Sequence, residues 1–271
     1  LDFIEKMRTA GATFFNAYPA LENRLRDMRQ HDTRYVAHEY LNRDWHPMMF
    51  ADVASSMKEA RCTYIGSATL SENIDAVSVP QGMIALMAEA KELHLRETLR
   101  DFGSGQGFRR DLYRRGVAPL SAAEHQQMLQ DLTIAWTGQT AGEQVTIATP
   151  LGQLTGRPEI YRPLLAMLEA GPVSVRQAFQ SEPFAGRSLL ELLQAVTLLI
   201  AGGFAHPVLP GGAGIAAREA TGRLNSAIAD INGHGGDLGR MVLPLLGSAM
   251  NVDLLETLAI GEFIAGRATD I

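Results

Sequence analysis

Three short stretches of the chain carry residue types at spacings that could do chemistry. Residues 101–107 read DFGSGQG, the acid-x-Gly-x-Gly-x-Gly pattern with which many Rossmann-type methyltransferases hold S-adenosylmethionine. The pattern works where a buried strand aims the glycine turn, a helix N-terminus follows, and an acid about 20 residues on holds the ribose. Here the preceding HLRETLRDF is charged at Arg96, Glu97, Arg100 and Asp101, and the following FRRDLYRRG offers no apolar helical face. Glu124, the acid nearest the required spacing, sits in a capping motif. The segment therefore reads as a helix C-terminus with Gly103 in the left-handed position. His38-Glu39 starts like a zinc-protease HExxH, but Asn42 stands where the second histidine belongs. Gly233-His234-Gly235-Gly236 looks like an oxyanion loop, yet the chain has no G-x-S-x-G elbow to serve it.

Two further stretches suit binding rather than bond-making. Tyr35, His38, Glu39, Tyr40, Asn42, Trp45 and His46 crowd hydrogen-bonding aromatics together, which fits a buried polar network or a partner surface. Phe108, Arg109, Arg110, Asp111, Arg114 and Arg115, with Tyr113, could grip an acidic peptide or phosphates. Alternatively they form an ion-paired face with Asp101, Asp111 and nearby glutamates. His38, Glu39, Tyr40, Asn42, Trp45, Phe108, Arg109, Arg110, Asp111, Arg114 and Arg115 are the candidate partner or substrate surface. No residue is assigned to catalysis, to a cofactor or to a metal.

The elements that must hold these residues are mixed. Residues 3–30 read as helix interrupted at Pro19, Pro47 opens a second helix, and CTYIGSA (62–68) is strand-like. Residues 70–82 read as a polar loop, and 83–102 as one long helix. Ser121 and Glu124 form a capping box that opens AAEHQQMLQDLTIAW. TGQTAGEQ (137–144) is the expected linker, being small, polar and without periodicity. Beyond it, 145–149 and 152–156 predict a hairpin around Pro150-Leu151. Pro158 then starts a helix, Ser174 and Ser188 cap two more, and FAHPVLP (204–210) extends like a wing. That order is the order of a winged helix. The tail adds a helix over 216–231 and two apolar segments around 241–250 and 253–264. The resulting expectation is a helix-rich α+β chain without a Rossmann methyltransferase core. Its parts are a mixed module at 1–136, the linker at 137–144, and a winged-helix-like module with extra C-terminal helices at 145–271.

Composition narrows the partners. At 271 residues and 46% hydrophobic the chain can bury a core. A net charge of -6 gives no basic field to hold nucleic acid, and the 189–201 helix has no Lys or Arg to read it with. The longest apolar stretch, 192–205, is shorter than the roughly 20 residues of a membrane span. The single cysteine, Cys62, and the charged N-terminal pattern fit a cytoplasmic protein. The chain begins at Leu1, mid-helix, which suggests a fragment of something longer.

Together, RYVAHEYLNRDWHPMMFADVASSMKEARCTYIGSA (34–68) and LRETLRDFGSGQGFRRDLYRRG (95–116) resemble a known family. This is the predicted regulatory domain that follows the catalytic domain in a group of bacterial methyltransferases. Residues 1 to about 118 carry the resemblance. The remainder is similar to the winged-helix C-terminal region of the same proteins, bacterial protein lysine methyltransferases among them. In that family GSGQG falls in a variable loop between the D-F and F-R-x-D elements. The resemblance implies a non-catalytic regulatory, substrate-recognising or dimerising region. It implies a catalytic domain in cis that holds S-adenosylmethionine outside this chain, and as compatible partners a protein substrate or a second copy. The rival readings are a methyltransferase using the 101–107 glycines and a DNA-binding regulator built on 145–210.

Overall fold

The computed structural model describes residues 1–116, 119–140, 142, 144–210 and 213–268. It is a helix-rich α+β fold with small antiparallel sheets. Its backbone divides into two compact units, Leu1–Met49 and Phe50–Ile271.

The first unit is helical: α1 (Asp2–Thr9), α2 (Phe14–Ala17), α3 (Ala20–Gln30) and α4 (Thr33–Tyr40). Pro19 sits immediately before α3, where its fixed φ suits a helix start. Asp32 caps α4 by accepting from the Arg34 amide at 2.8 Å. Only Phe15 is a buried apolar side chain among the described residues of this unit. Its helices are thus held by little apolar burial.

The second unit opens with α5 (Phe50–Glu59), β1 (Cys62–Ser67), a 3-10 turn at Leu70–Asn73 and α6 (Asp75–Ser78), then α7 (Gln81–Glu89), α8 (Leu93–Ser104) and β2 (Asp111–Arg115). Residues 70–82, expected to be loop, thus contain two short turns of helix. The helix expected over 83–102 is two helices, because Ala90 leaves helical geometry with ψ 106° and α8 restarts at Leu93. β1 and β2 pair antiparallel, Tyr64 opposite Tyr113 and Ser67 opposite Asp111, with a bulge at Ile65.

The capping box at Ser121 and Glu124 is built as expected and opens α9 (Ala122–Asp131). The helix stops five residues short of the expected Trp136, because Thr133–Trp136 is β3, the central strand of a three-stranded sheet. A β-branched and aromatic run with hydrogen-bonding neighbours on both sides outweighs continuation of the helix. There follow β4 (Thr146–Thr149), β5 (Gly152–Thr155), α10 (Pro158–Ala170), β6 (Val173–Ser174), α11 (Val175–Gln180), α12 (Leu189–Ala201) and β7 (Ala205–Pro207). β4 and β5 form the hairpin around Pro150-Leu151, and β6 and β7 flank β3. The expected linker, 137–144, includes residues 141 and 143, which lie outside the described residues.

One core gathers here. Ile134, Ile147, Leu164, Val175, Leu192 and Leu199 are each at most 1% exposed, and Ile74 and Val77 pack at its edge. Complete burial of such a side chain contributes about 1.5–3 kcal/mol. The chain ends with α13 (Ala213–Gly233), the hairpin β8 (Arg240–Leu243) with β9 (Ser248–Asn251), and α14 (Leu254–Ile264). Buried Asn225 on α13 holds that hairpin from both sides, donating to the Val242 carbonyl at 2.8 Å and accepting from the Val242 amide at 2.9 Å. Among the described residues no helix is long and apolar enough to cross a membrane.

Candidate functional site

The DFGSGQG segment is the last turn of α8 and its cap. Gly105 takes the left-handed conformation at φ 65°, two residues later than expected for Gly103, which stays helical. Gly103 lies so close to Met83 that an added Cβ would stand 3.1 Å from its Cγ. The amides of Gly105 and Gln106 both donate to the Asp101 carbonyl, so they close the helix instead of facing outward. The GHGG segment behaves in the same way: the Gly236 amide donates to the Ile231 carbonyl at 2.9 Å at the end of α13.

The Asp101 carboxylate faces Arg109, and around that arginine the unit builds its densest charge cluster. Arg109 donates to Glu97 at 2.9 Å and to Asp111 at 3.0 Å, and it pairs with Asp101. Its guanidinium lies over the Phe50 ring, 4.5 Å from the centroid, and beside Tyr64. Glu97 is only 4% exposed and also receives Arg100, which reaches Asp75 at 2.7 Å. Burial opposes the charge on Arg109, but bonds to Asp111, Glu97 and Asp101 outweigh it and hold the group firmly protonated. Burial raises the Asp101 carboxyl above its ordinary value despite the Arg109 bond, and with the nearby Glu97 charge it raises the Tyr64 hydroxyl further. The cavity inside the cluster is about 10 Å³, enough for roughly one water. This is a locked ionic core that joins α8 to β2.

β alternation turns the neighbouring residues outward. Arg114, paired with Thr63, is exposed, as are Ile65 (55%) and Leu112 (47%), whereas Arg115, opposite Cys62, is exposed at the end of the strand with the parity of Tyr113. Phe108 is 78% exposed, and the Arg110 guanidinium donates to the Thr69 hydroxyl at 2.9 Å. The structure therefore sorts the F-R-R-D stretch into two roles. Arg109 and Asp111 are engaged internally, Phe108, Arg110 and Arg114 remain on an open, basic and apolar face, and Arg115 is exposed at the strand end on the other side.

The HEYLN stretch lies in the other unit. His38 bonds Glu39 at 3.1 Å with their side chains 81% and 48% exposed, so they are not a buried network. Tyr40 sits under Arg24 at 5.7 Å, the Asn42 side chain accepts from the Asp44 amide at 3.0 Å, and Trp45 is 66% exposed. Glu97 and Tyr64, which the motif reading passed over, prove central. Glu97, Arg100, Asp101 and Ser104 follow i, i+3, i+4, i+7 spacing on α8, a stripe that in sequence reads as a solvated face.

The helix-rich α+β fold with small antiparallel sheets is similar to that of solved structures. PKMT2 from Rickettsia typhi, solved in complex with AdoHcy, matches over 100% of this chain and 59% of that one, at a TM-score of 0.55 and 16% identity. A second structure of the same protein matches 90% of this chain and 52% of that one, at a TM-score of 0.52 and 14% identity. Those identities establish likeness of fold. Residues 32–115 match the family model described as the predicted methyltransferase regulatory domain, which bears out the resemblance read from the HEYLN and FRRD segments. Over 260 residues the chain is 30% identical to the uncharacterized protein sll1526 of Synechocystis sp., covering 96% of this chain and 51% of that protein. It spans about half the length of that relative.

Proposed function

We propose that the chain is a non-catalytic accessory region of a bacterial S-adenosylmethionine-dependent methyltransferase, working in the cytoplasm beside a catalytic domain in cis and binding a protein partner or substrate. The observation that carries the reading is how 101–107 is used. Two amides of that segment cap α8, its acid is committed to Arg109, and Glu124, the acid nearest the ribose spacing, is committed to the Ser121 capping box, which argues against the N–H cradle and ribose acceptor of a cofactor loop. The match of 32–115 to a regulatory domain supports the same conclusion. The AdoHcy of the Rickettsia protein would then belong to the part of such proteins that lies beyond this chain.

In this reading Arg109 and Asp111 position β2, and Phe108, Arg110, Arg114 and Arg115 make the contact. His38, Glu39, Tyr40, Asn42 and Trp45 form a second exposed patch. Residues 145–210 act as a winged-helix-like module for protein rather than DNA, with 137–144 as the functional boundary. The antiparallel strand pairing throughout the described residues supports a chain without a Rossmann core. Titration calorimetry of the chain with S-adenosylmethionine tests it: no binding heat is expected, and a saturable heat that Asp101→Ala abolishes overturns the reading.

A further inference from the structure

Strands β1 and β2 pair only with each other among the described residues, so each has a second edge. The edge of β1 is closed. Asn73, at the end of the 3-10 turn that follows it, lies against Ser67: its side chain accepts from the Ser67 amide at 2.9 Å and donates to the Ser67 carbonyl at 2.8 Å. Those are the bonds a neighbouring strand would otherwise make. Gly66 admits the approach, since an added Cβ would stand 2.9 Å from the Asn73 carboxamide oxygen.

The edge of β2 is open. The Arg110 carbonyl accepts from the Ala68 amide at 2.7 Å, so the main chain of Arg110 is turned towards β1. Alternation along an antiparallel strand turns Leu112 and Arg114 the same way and Asp111, Tyr113 and Arg115 the opposite way. Among the described residues, no strand or loop backbone pairs with those three on that side.

The exposed side chains along this edge alternate in kind. Phe108, Arg110, Leu112 and Arg114 read apolar, cationic, apolar, cationic on one face, with same-face neighbours about 7 Å apart. Asp111 is the only acid in either strand, and it lies on the other face bonded to Arg109. The face is thus cationic in a chain whose net charge is -6. A second copy joined at the same edge would gather both Arg110 and both Arg114 side chains on one sheet face with no carboxylate from either strand, which opposes self-pairing. A strand bearing acids at that spacing meets no such obstacle.

From this register we infer that the open edge of β2 takes an antiparallel strand of a partner protein in the order acid, any residue, apolar, any residue, acid. The two acids lie beside Arg110 and Arg114, and the apolar residue lies beside Leu112. The two intervening residues exchange main-chain hydrogen bonds with Asp111 and Tyr113. The inference rests on the reading that the chain acts by binding protein, and it names what that partner must present.

The probe is the blocked peptide acetyl-Thr-Glu-Thr-Val-Thr-Glu-Thr-amide, titrated to millimolar concentration into the intact, isotope-labelled chain and followed by the amide resonances of Asp111, Tyr113 and Arg115. Saturable shifts at these amides are expected, and those of Asp111 and Tyr113 should exchange with solvent more slowly once the peptide is bound. Methylating the amide nitrogens of the peptide's third and fifth residues, which face β2 in this register, should abolish the shifts. Methylating that of its valine, which faces away, should leave them. Replacing either glutamate by lysine should weaken binding about two- to five-fold. Both arginines are exposed, so Arg110→Glu combined with Arg114→Glu keeps the fold and should make the peptide with two lysines bind better than the one with two glutamates. No saturable shift, equal binding of the two methylated peptides, or a double variant that still prefers the glutamate peptide overturns the inference. Each of those results leaves the cofactor titration that tests the accessory role unaffected.

Discussion

Arg109 compensates three carboxylates, of which Glu97 is almost fully enclosed. Removing the arginine leaves buried charge unpaired, so Arg109→Met should cost about 3–5 kcal/mol in urea denaturation. Arg114→Ala, on the outer face of β2, should change stability by no more than about 0.5 kcal/mol. A comparable loss in the two variants would mean that the two arginines are not as different as their burial implies. The tyrosines add a pH dependence. In the folded chain the Tyr64 hydroxyl keeps its proton to higher pH than the ordinary value of about 10, because of burial and then Glu97. The unfolded chain therefore ionises first, and stability that is fully present below about pH 10 is lost as pH rises beyond it. Urea midpoints measured at pH 8 and above pH 10 should fall less for Tyr64→Phe than for the parent. Tyr113 and Tyr161, raised by burial in the same direction, should sustain a residual slope.

At the level of elements, the glycine-rich segments are helix ends, and their glycines are not equivalent. Gly105→Ala forces a side chain into φ 65° and should cost about 1 kcal/mol. Gly107, without positive φ and with nothing within 4 Å of an added Cβ, should tolerate alanine. A cofactor loop would reverse the order, since it is close approach of backbone to ligand that forbids side chains there. Thermal melts of the two variants distinguish these outcomes. On α13, Asn225→Leu strands the amide and the carbonyl of Val242 at once, and a loss of about 1–3 kcal/mol is expected. The caps at Ser121, Ser174 and Ser188 are legible because each hydroxyl meets an amide three residues on, a wholly local arrangement. Strand β3 is not legible. Thr133–Trp136 continues a helical stretch, and it becomes a strand by pairing with Val173–Ser174 on one side and Ala205–Pro207 on the other.

The whole molecule divides unevenly. The unit Leu1–Met49 buries one apolar side chain among its described residues, whereas α12 alone buries Leu192, Ala195, Val196, Leu198 and Leu199. Opening free energy follows such burial. Hydrogen exchange of the intact chain should show the amides of α1, α3 and α4 exchanging orders of magnitude faster than those of α12, and similar protection in both would contradict the division. The family match at 32–115 runs across the boundary between these units, so the HEYLN and FRRD segments share a family model while lying in separate compact units.

The sequence by itself determined what depends on near neighbours: the helix caps, the hairpin at Pro150-Leu151, the helix end within 101–107, and the two motifs that carry the family. The tertiary structure alone decided which charges are spent. Arg109 and Arg114 stand five residues apart with identical side chains. One is enclosed by Glu97, Asp101 and Asp111 beneath the sheet, and the other is left in solvent above it. It likewise decided that Asn73 closes the edge of β1. Residue type fixes what a group can do, and burial against residues distant in the chain fixes whether it is free to do it.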